Sequence, residues 1–332
     1  GNFTNHVLKE SIQLDGPSLP NNSTTTIMFR YLNQSKLEEN KDYLIYSHQN
    51  EAIYGNNKKV SRYKPKWSHH REKRLPQVII IGAKKCGTGA LQEILRLHPQ
   101  IVSPREEVHF FERYQQYYLG LDWYRKQMPY SYKNQLTLEK TPKYFITPEV
   151  PERIYAMNAS IKLILIVRDP AERVISDYFH VRASHPNILP WNKTFKEEIL
   201  NTKGEVNISS YIVVPSLYAV HISRWLNVFQ REQIIVVDGD KLITDPLSQI
   251  TKVESFLSLP HLITSKNLFY SQEKGFYCMQ YTSGYKKCLG KNKGRPHPNI
   301  DPQVMSKLRR FLEPFNKHFY TLVGYNFSWP NS

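Results

Sequence analysis

The chain has 332 residues, 40% of them hydrophobic, enough for one large or two small domains with a buried core. Its 45 Lys and Arg against 29 Asp and Glu give a net charge of +16. That excess points to a polyanionic partner (nucleic acid, an anionic membrane or an acidic polysaccharide), with mere solubility as the plainer reading; no apolar run reaches the ~18 residues of a membrane span.

Residues 1 to about 72 are polar and rich in Asn, Ser, Thr, Lys and Tyr, with little periodicity. The reading is a basic, largely irregular stem over 1–75, followed by a folded domain over 76–332. The run Lys58 to Arg74 is strongly basic and suits either a polyanion contact or a solvated tether. Glycosylation sequons recur at Asn2, Asn21, Asn22, Asn33, Asn158, Asn192, Asn207 and Asn326, a density that favours a secretory-pathway lumen. No leader is visible, so any anchor is expected outside this sequence.

From residue 76 strand and helix signals alternate, as an α/β fold with a central parallel sheet requires. Val78–Ile81 reads as a buried strand, Gly82 to Thr88 as a glycine-bounded turn, and Ala90, Leu91, Ile94 and Leu95 recur at helical spacing. Such a unit cradles phosphate with backbone N–H groups and the helix N-terminus. Gly82 and Gly87 have the Walker spacing, yet Thr88 stands where its lysine belongs and Lys84 and Lys85 lie inside the loop. The displacement argues against an ATPase and for another phosphate-bearing donor.

Leu136–Glu139 and Lys162–Val167 are the next strands. The second delivers Arg168 to its C-terminal end, and a helix places Ser176 two turns further on, a pair able to grip a second phosphate. The competing reading pairs Arg168 with Asp169 or Glu172. Tyr218, Ile222, Trp225 and Phe229 form an amphipathic helix, and Ile234–Val237 a strand. Asp245-Pro246 and Asp301-Pro302 read as N-caps with proline at the first helical position, and Pro314 is expected to kink or end the last helix. Between these, Tyr277 to Tyr281, Gly284 and Tyr285 suggest a hairpin, with a disulfide between Cys278 and Cys288 across it. No pair of ligands has zinc spacing, and Cys86 is left unpaired.

Taken together, the first loop and the Arg168…Ser176 pair resemble the sulfotransferase family over roughly residues 75 to 330. Glu107-Val-His-Phe-Phe111, Leu138-Glu-Lys140-Thr-Pro, Val236-Val-Asp-Gly-Asp240 and Gly275-Phe-Tyr-Cys278 with Lys293-Gly-Arg295 resemble the heparan sulfate glucosamine 3-O-sulfotransferases. The resemblance implies helices on both faces of the sheet, a P-loop-like phosphosulfate-binding loop, and transfer of sulfuryl from 3′-phosphoadenosine 5′-phosphosulfate to the glucosamine 3-hydroxyl of heparan sulfate. It implies a Golgi-lumen enzyme that needs no metal and takes no nucleic acid, meeting a membrane only through an anchor outside this chain. Glu107 matches the catalytic base, His109 its neighbour, and Lys85 and Lys140 the lysines at the transferring group. Arg168 and Ser176 match the 3′-phosphate ligands, Gly87 and Thr88 the 5′-phosphate ligands, and Lys293, Gly294 and Arg295 a loop closing on the nucleotide, with Tyr277 beside it facing adenine.

For the acceptor, Lys84 and Lys287 match basic positions of the family, Glu107, His109 and Lys140 border it, and Lys143, His180, Arg105 and Lys291 are added by charge and position. The family's loop usually has Gly where Cys86 stands and Arg where Gly89 stands, alanine at the place of Lys143 and glutamine at that of His180. Glucosamine N-sulfation, a magnesium-dependent P-loop kinase and a non-catalytic heparin binder are the other readings.

Overall fold

The structure is a computed structural model and describes residues 70–184, 193–290 and 299–331. Lys291, Lys293, Gly294 and Arg295 lie outside the described residues, as does the expected stem up to residue 69. A short strand, β1 (Glu72–Lys73), precedes β2 (Val78–Gly82) and α1 (Thr88–Leu95). Next come β3 (Ile101–Val102), α2 (Tyr114–Tyr117), α3 (Gly120–Gln127), β4 (Tyr130–Ser131), β5 (Leu136–Lys140) and α4 (Val150–Met157). They are followed by β6 (Lys162–Val167), α5 (Pro170–Ser184), α6 (Phe195–Ile199), α7 (Tyr218–Leu226) and β7 (Ile234–Asp238). Then come α8 (Gly239–Thr244), α9 (Pro246–Phe256), β8 (Leu268–Ser271), β9 (Phe276–Gln280), β10 (Lys286–Lys287) and α10 (Pro302–Val323).

The central sheet is parallel throughout, in the order β3-β5-β2-β6-β7. Two of its three inner strands, β2 and β6, carry continuous apolar runs because both their faces are covered: Val78 through Ile81 and Leu163 through Val167 are buried. From β2 the chain moves to one side of the sheet, to β3, and from β6 to the other, to β7. Parallel crossovers are right-handed, so this reversal puts helices on opposite faces. α1 packs against α9, while α10 packs against α7 and α5. In open sheets of this kind ligands bind outside the C-terminal ends of the strands where the order reverses, here beside β2 and β6.

Two of the caps form as the sequence predicts. Asp245 accepts from the Ser248 N–H at 3.4 Å and Asp301 from the Gln303 N–H at 2.8 Å, each with proline at the first helical position. Pro314 does not end its helix: α10 continues to Val323. The proline is exposed, so the carbonyl it leaves unbonded one turn earlier can turn to water, while Leu308, Leu312, Phe315 and Phe319 hold the other face in the core.

The expected hairpin pairs β9 with β10 and joins a three-stranded antiparallel sheet with β8. Gly284 turns it at φ 80°, and Cys278 and Cys288 form the disulfide. Cys86 is free and buried. β1, within the segment expected to be stem, pairs antiparallel with β4. No helix among the described residues is long and apolar enough to cross a membrane.

Candidate active site

After β2 the chain turns through Ala83 to Gly87 into α1. The Ala83 N–H donates to the Ile166 carbonyl at 2.8 Å, which hangs the loop from β6. Lys85 adopts a left-handed φ of 73°, and Gly87, the N-cap of α1, one of 101° that its missing Cβ permits. No side chain caps this helix, and Thr88 is buried at its first position. The first N–H groups of α1 are therefore open to an anion at the positive end of the helix.

Arg168 directly follows β6, beside that loop. The Arg168 Nε lies 3.5 Å from Asp240 and, although buried, has no hydrogen-bond partner among the described residues. Neither Asp169 nor Glu172 takes Arg168: both pair with Arg309 of α10, at 3.1 and 3.5 Å. The local ion pair that competed for Arg168 is thus replaced by a distant one, and the guanidinium keeps an unused donor. Ser176, half-buried on α5, has no hydrogen-bond partner among the described residues.

Beneath both loops lies Arg173, fully buried. Its Nε donates to Ser216 Oγ at 2.6 Å, Nη1 to Asp177 at 2.9 Å and to the Lys84 carbonyl at 3.4 Å, and Nη2 to the Ile212 carbonyl. Lys84 Nζ meets the same Asp177 at 3.1 Å. Burial alone would raise the Asp177 carboxyl, but Arg173 and Lys84 outweigh it and hold it below the usual carboxylate range.

A second cluster opens at the same edge. Ile80 of β2 faces Lys140 of β5, so the end of β5 lies beside the loop. Lys140 Nζ is 2.5 Å from Glu107 Oε1, and His109 Nε2 is 3.5 Å from Glu107 Oε2. The other ring nitrogen of His109 meets Glu112. The segment is not extended through His109, whose φ is 56°. That turn follows from the aromatic pair after it. Phe110 and Phe111 are buried, Phe110 stacks on Tyr124 at 4.4 Å, and its N–H donates to the Tyr144 hydroxyl at 3.0 Å. The anchored aromatics leave Glu107 partly exposed above Lys140. Behind them Glu139 is fully buried, accepting from Thr141 at 2.5 Å. Burial, opposed by that hydroxyl and reinforced by Glu112, raises its pKa to about 7.

Residues 75–321 match the sulfotransferase domain family. The chain is 48% identical over 266 residues to heparan sulfate glucosamine 3-O-sulfotransferase 5 of Homo sapiens, covering 79% of this chain and 76% of that protein. This chain belongs to the heparan sulfate glucosamine 3-O-sulfotransferase family. Heparan sulfate glucosamine 3-O-sulfotransferase 3B1 of Homo sapiens is 44% identical over 260 residues, 77% of this chain and 65% of that one. The sulfotransferase of Alicyclobacillus acidocaldarius shares the fold, with a TM-score of 0.58 at 21% identity over 77% of this chain and 98% of its own.

The other expected residues of this sulfotransferase lie on several different elements. Lys287, expected to meet acceptor, is 2.5 Å from Glu93 of α1, and so ties the hairpin to the loop's helix. Tyr277 packs edge-on against Tyr270 at 5.4 Å. Lys143 is exposed on the turn after β5, His180 half-buried on α5, and Arg105 exposed. Sequence reasoning passed over Arg173, Asp177, Glu112 and Glu139. Two of them had a signal: Asp177 follows Arg173 by four positions and Glu112 follows His109 by three, the spacings at which helical or turned neighbours meet.

Proposed function

We propose that this enzyme transfers the sulfuryl group of 3′-phosphoadenosine 5′-phosphosulfate to the 3-hydroxyl of glucosamine units in heparan sulfate. The observation that carries the reading is the Glu107 carboxylate, held by Lys140 and His109 at the C-terminal end of the strands, beside a loop and an uncapped helix N-terminus suited to an anion. The names of the relatives supply the acceptor. The buried Nε of Arg168, without a hydrogen-bond partner among the described residues, fits a donor with a second, separate phosphate.

In this reading Glu107 takes the proton of the attacking hydroxyl. The sugar oxygen bonds sulfur as the bond from sulfur to the 5′-phosphate oxygen breaks, and adenosine 3′,5′-bisphosphate leaves. Lys85 and Lys140 offset the charge that develops, and His109 orients Glu107. Arg168 and Ser176 hold the 3′-phosphate, Gly87, Thr88 and the loop N–H groups the 5′-phosphate, and Tyr277 faces adenine, with Lys293, Gly294 and Arg295 closing over the nucleotide. Lys84, Lys143, His180 and Lys287 line the acceptor side, where a positive surface suits a sulfated polysaccharide. The activity belongs to residues 76–332, with 1–75 as a stem, in the Golgi lumen. The disulfide suits that oxidising compartment, and the sequons Asn158, Asn207 and Asn326 are at least partly exposed.

The test is incubation with labelled donor and heparan sulfate, then disaccharide analysis. Label on the glucosamine 3-oxygen is expected; label on the 2-amino or 6-hydroxyl position refutes the reading. A second expectation concerns Gly239, where an added Cβ would stand 2.5 Å from the Cys86 carbonyl oxygen and 2.8 Å from that of Val167. Gly239→Ala must part the two anion-binding loops, an overpacking that typically costs about 1–3 kcal/mol. We expect a lower melting temperature and about tenfold weaker binding of adenosine 3′,5′-bisphosphate, read by calorimetric titration, since 1.4 kcal/mol is a factor of ten.

A further inference from the structure

We propose that Tyr218 is a positioning residue for the donor, bracing the loop after β2 against the loop after β6 through a relay from the Cys86 thiol to the Arg168 carbonyl. The inference rests on the donor site proposed above. Tyr218 opens α7 and is 1% exposed. Its hydroxyl donates to the Arg168 carbonyl at 3.2 Å and lies 3.3 Å from Cys86 Sγ. A phenol has one hydrogen, and a carbonyl can only accept. The Tyr218 hydrogen therefore goes to Arg168, and the Cys86 thiol, which also has the Lys84 carbonyl in reach at 3.8 Å, turns its hydrogen to the nearer phenol oxygen.

The surroundings hold that assignment in place. Burial raises the Cys86 thiol above its ordinary value, partly offset by the Tyr218 hydroxyl and by Arg173 and Arg168, so the sulfur keeps its proton. The Tyr218 ring is clamped by Phe145, Phe319 and Trp329, with centroids 6.3, 5.5 and 5.7 Å away. One fixed oxygen thus sets the spacing between the residue after Lys85 and the backbone of Arg168. These are the two places where the separated phosphates of the donor are to be gripped. The residue that matters in this loop is then Cys86, a position where a glycine would offer Tyr218 no hydrogen at all.

Calorimetric titration with adenosine 3′,5′-bisphosphate tests the brace on the parent protein and on Tyr218→Phe, Cys86→Ala and Cys86→Ser, with heparin binding measured alongside. A net hydrogen bond of about 0.5–1.5 kcal/mol corresponds to a loss of roughly 2–13-fold. The expected result is a Kd for the bisphosphate raised within that range by Tyr218→Phe and by Cys86→Ala. Cys86→Ser, whose hydroxyl can still donate, is expected to stay within about twofold of the parent, and heparin affinity is expected to hold in all three. A Tyr218→Phe protein that binds the bisphosphate as the parent does overturns the brace, and a serine variant no better than alanine overturns the thiol's part in it. Equal weakening toward heparin and bisphosphate marks a general loss of structure and also overturns it. A parent protein that binds no bisphosphate brings down the donor site itself, an outcome distinct from a brace that fails in a protein that binds.

Discussion

Glu107→Gln is expected to lower the rate of sulfuryl transfer by a factor on the order of 10²–10⁴, the usual contribution of a positioned general base. The amide keeps the size and planarity of the carboxylate but cannot take the hydroxyl's proton. Its surroundings should tolerate the change. Glu107 is 35% exposed, and its contacts are the Lys140 ammonium at 2.5 Å and the His109 ring at 3.5 Å. A half-open ion pair of this kind contributes little to stability, so the variant should fold. In the proposed reading the bisphosphate meets the loop after β2 and Arg168 instead, so its affinity should stay within about twofold. The measurement is initial rate at saturating donor beside calorimetric binding. A variant that retains more than a tenth of the parent rate removes Glu107 from the role of base.

The framework around that carboxylate was readable because it follows from local pattern. The apolar β-branched run Lys162–Val167 is the strand at the same bounds, and Val78–Ile81 is the strand less its final Gly82. Such runs signal a strand buried on both faces whatever surrounds it. The sites themselves depend on residues far apart in the chain, and there the sequence was less legible. Arg168 was weighed against acidic neighbours one and four positions away. Its partner is Asp240, while those neighbours face Arg309 on the last helix. The turn at His109 is likewise fixed from a distance, by the Tyr144 hydroxyl and the stack of Phe110 on Tyr124. Two-residue strands such as β3 carry too few side chains to show any period.

Burial of charge was the least legible feature, because nothing in the letters Arg-Val-Ile-Ser-Asp says that the arginine at their head is out of water. Yet this places the loop after β2. The Arg173 fork joins a carbonyl of the loop after β2, a carboxylate of α5, and Ser216 and Ile212 ahead of α7. The position of Lys84 is therefore set twice, by its carbonyl on Arg173 and by its ammonium on Asp177. Cys86, two residues on, is held by Tyr218. The loop lysines thus stand on a buried polar layer, and their reach is set from below rather than by the glycine turn alone.

Arg173→Met follows directly. Methionine can fill the volume, but Asp177 stays behind, 2% exposed and stripped of the stronger of its two cations. Breaking a buried pair from one side typically costs about 3–5 kcal/mol. The pH dependence should change as well. In the parent the Asp177 carboxyl is depressed, so its contribution is present above the unfolded value near 4 and is lost as pH falls through the folded one. Without Arg173 the desolvation that opposed the depression is met by Lys84 alone, and part of that acid-side loss should disappear. Adding Asp177→Asn removes the stranded charge and should recover part of the melting temperature, since replacing both members of a buried pair is far milder than replacing one. Donor binding should not recover with it, because the Lys84 carbonyl has still lost its hold. A double variant that melts no higher than Arg173→Met, or that regains bisphosphate affinity along with stability, would show that Arg173 serves the fold without placing the loop.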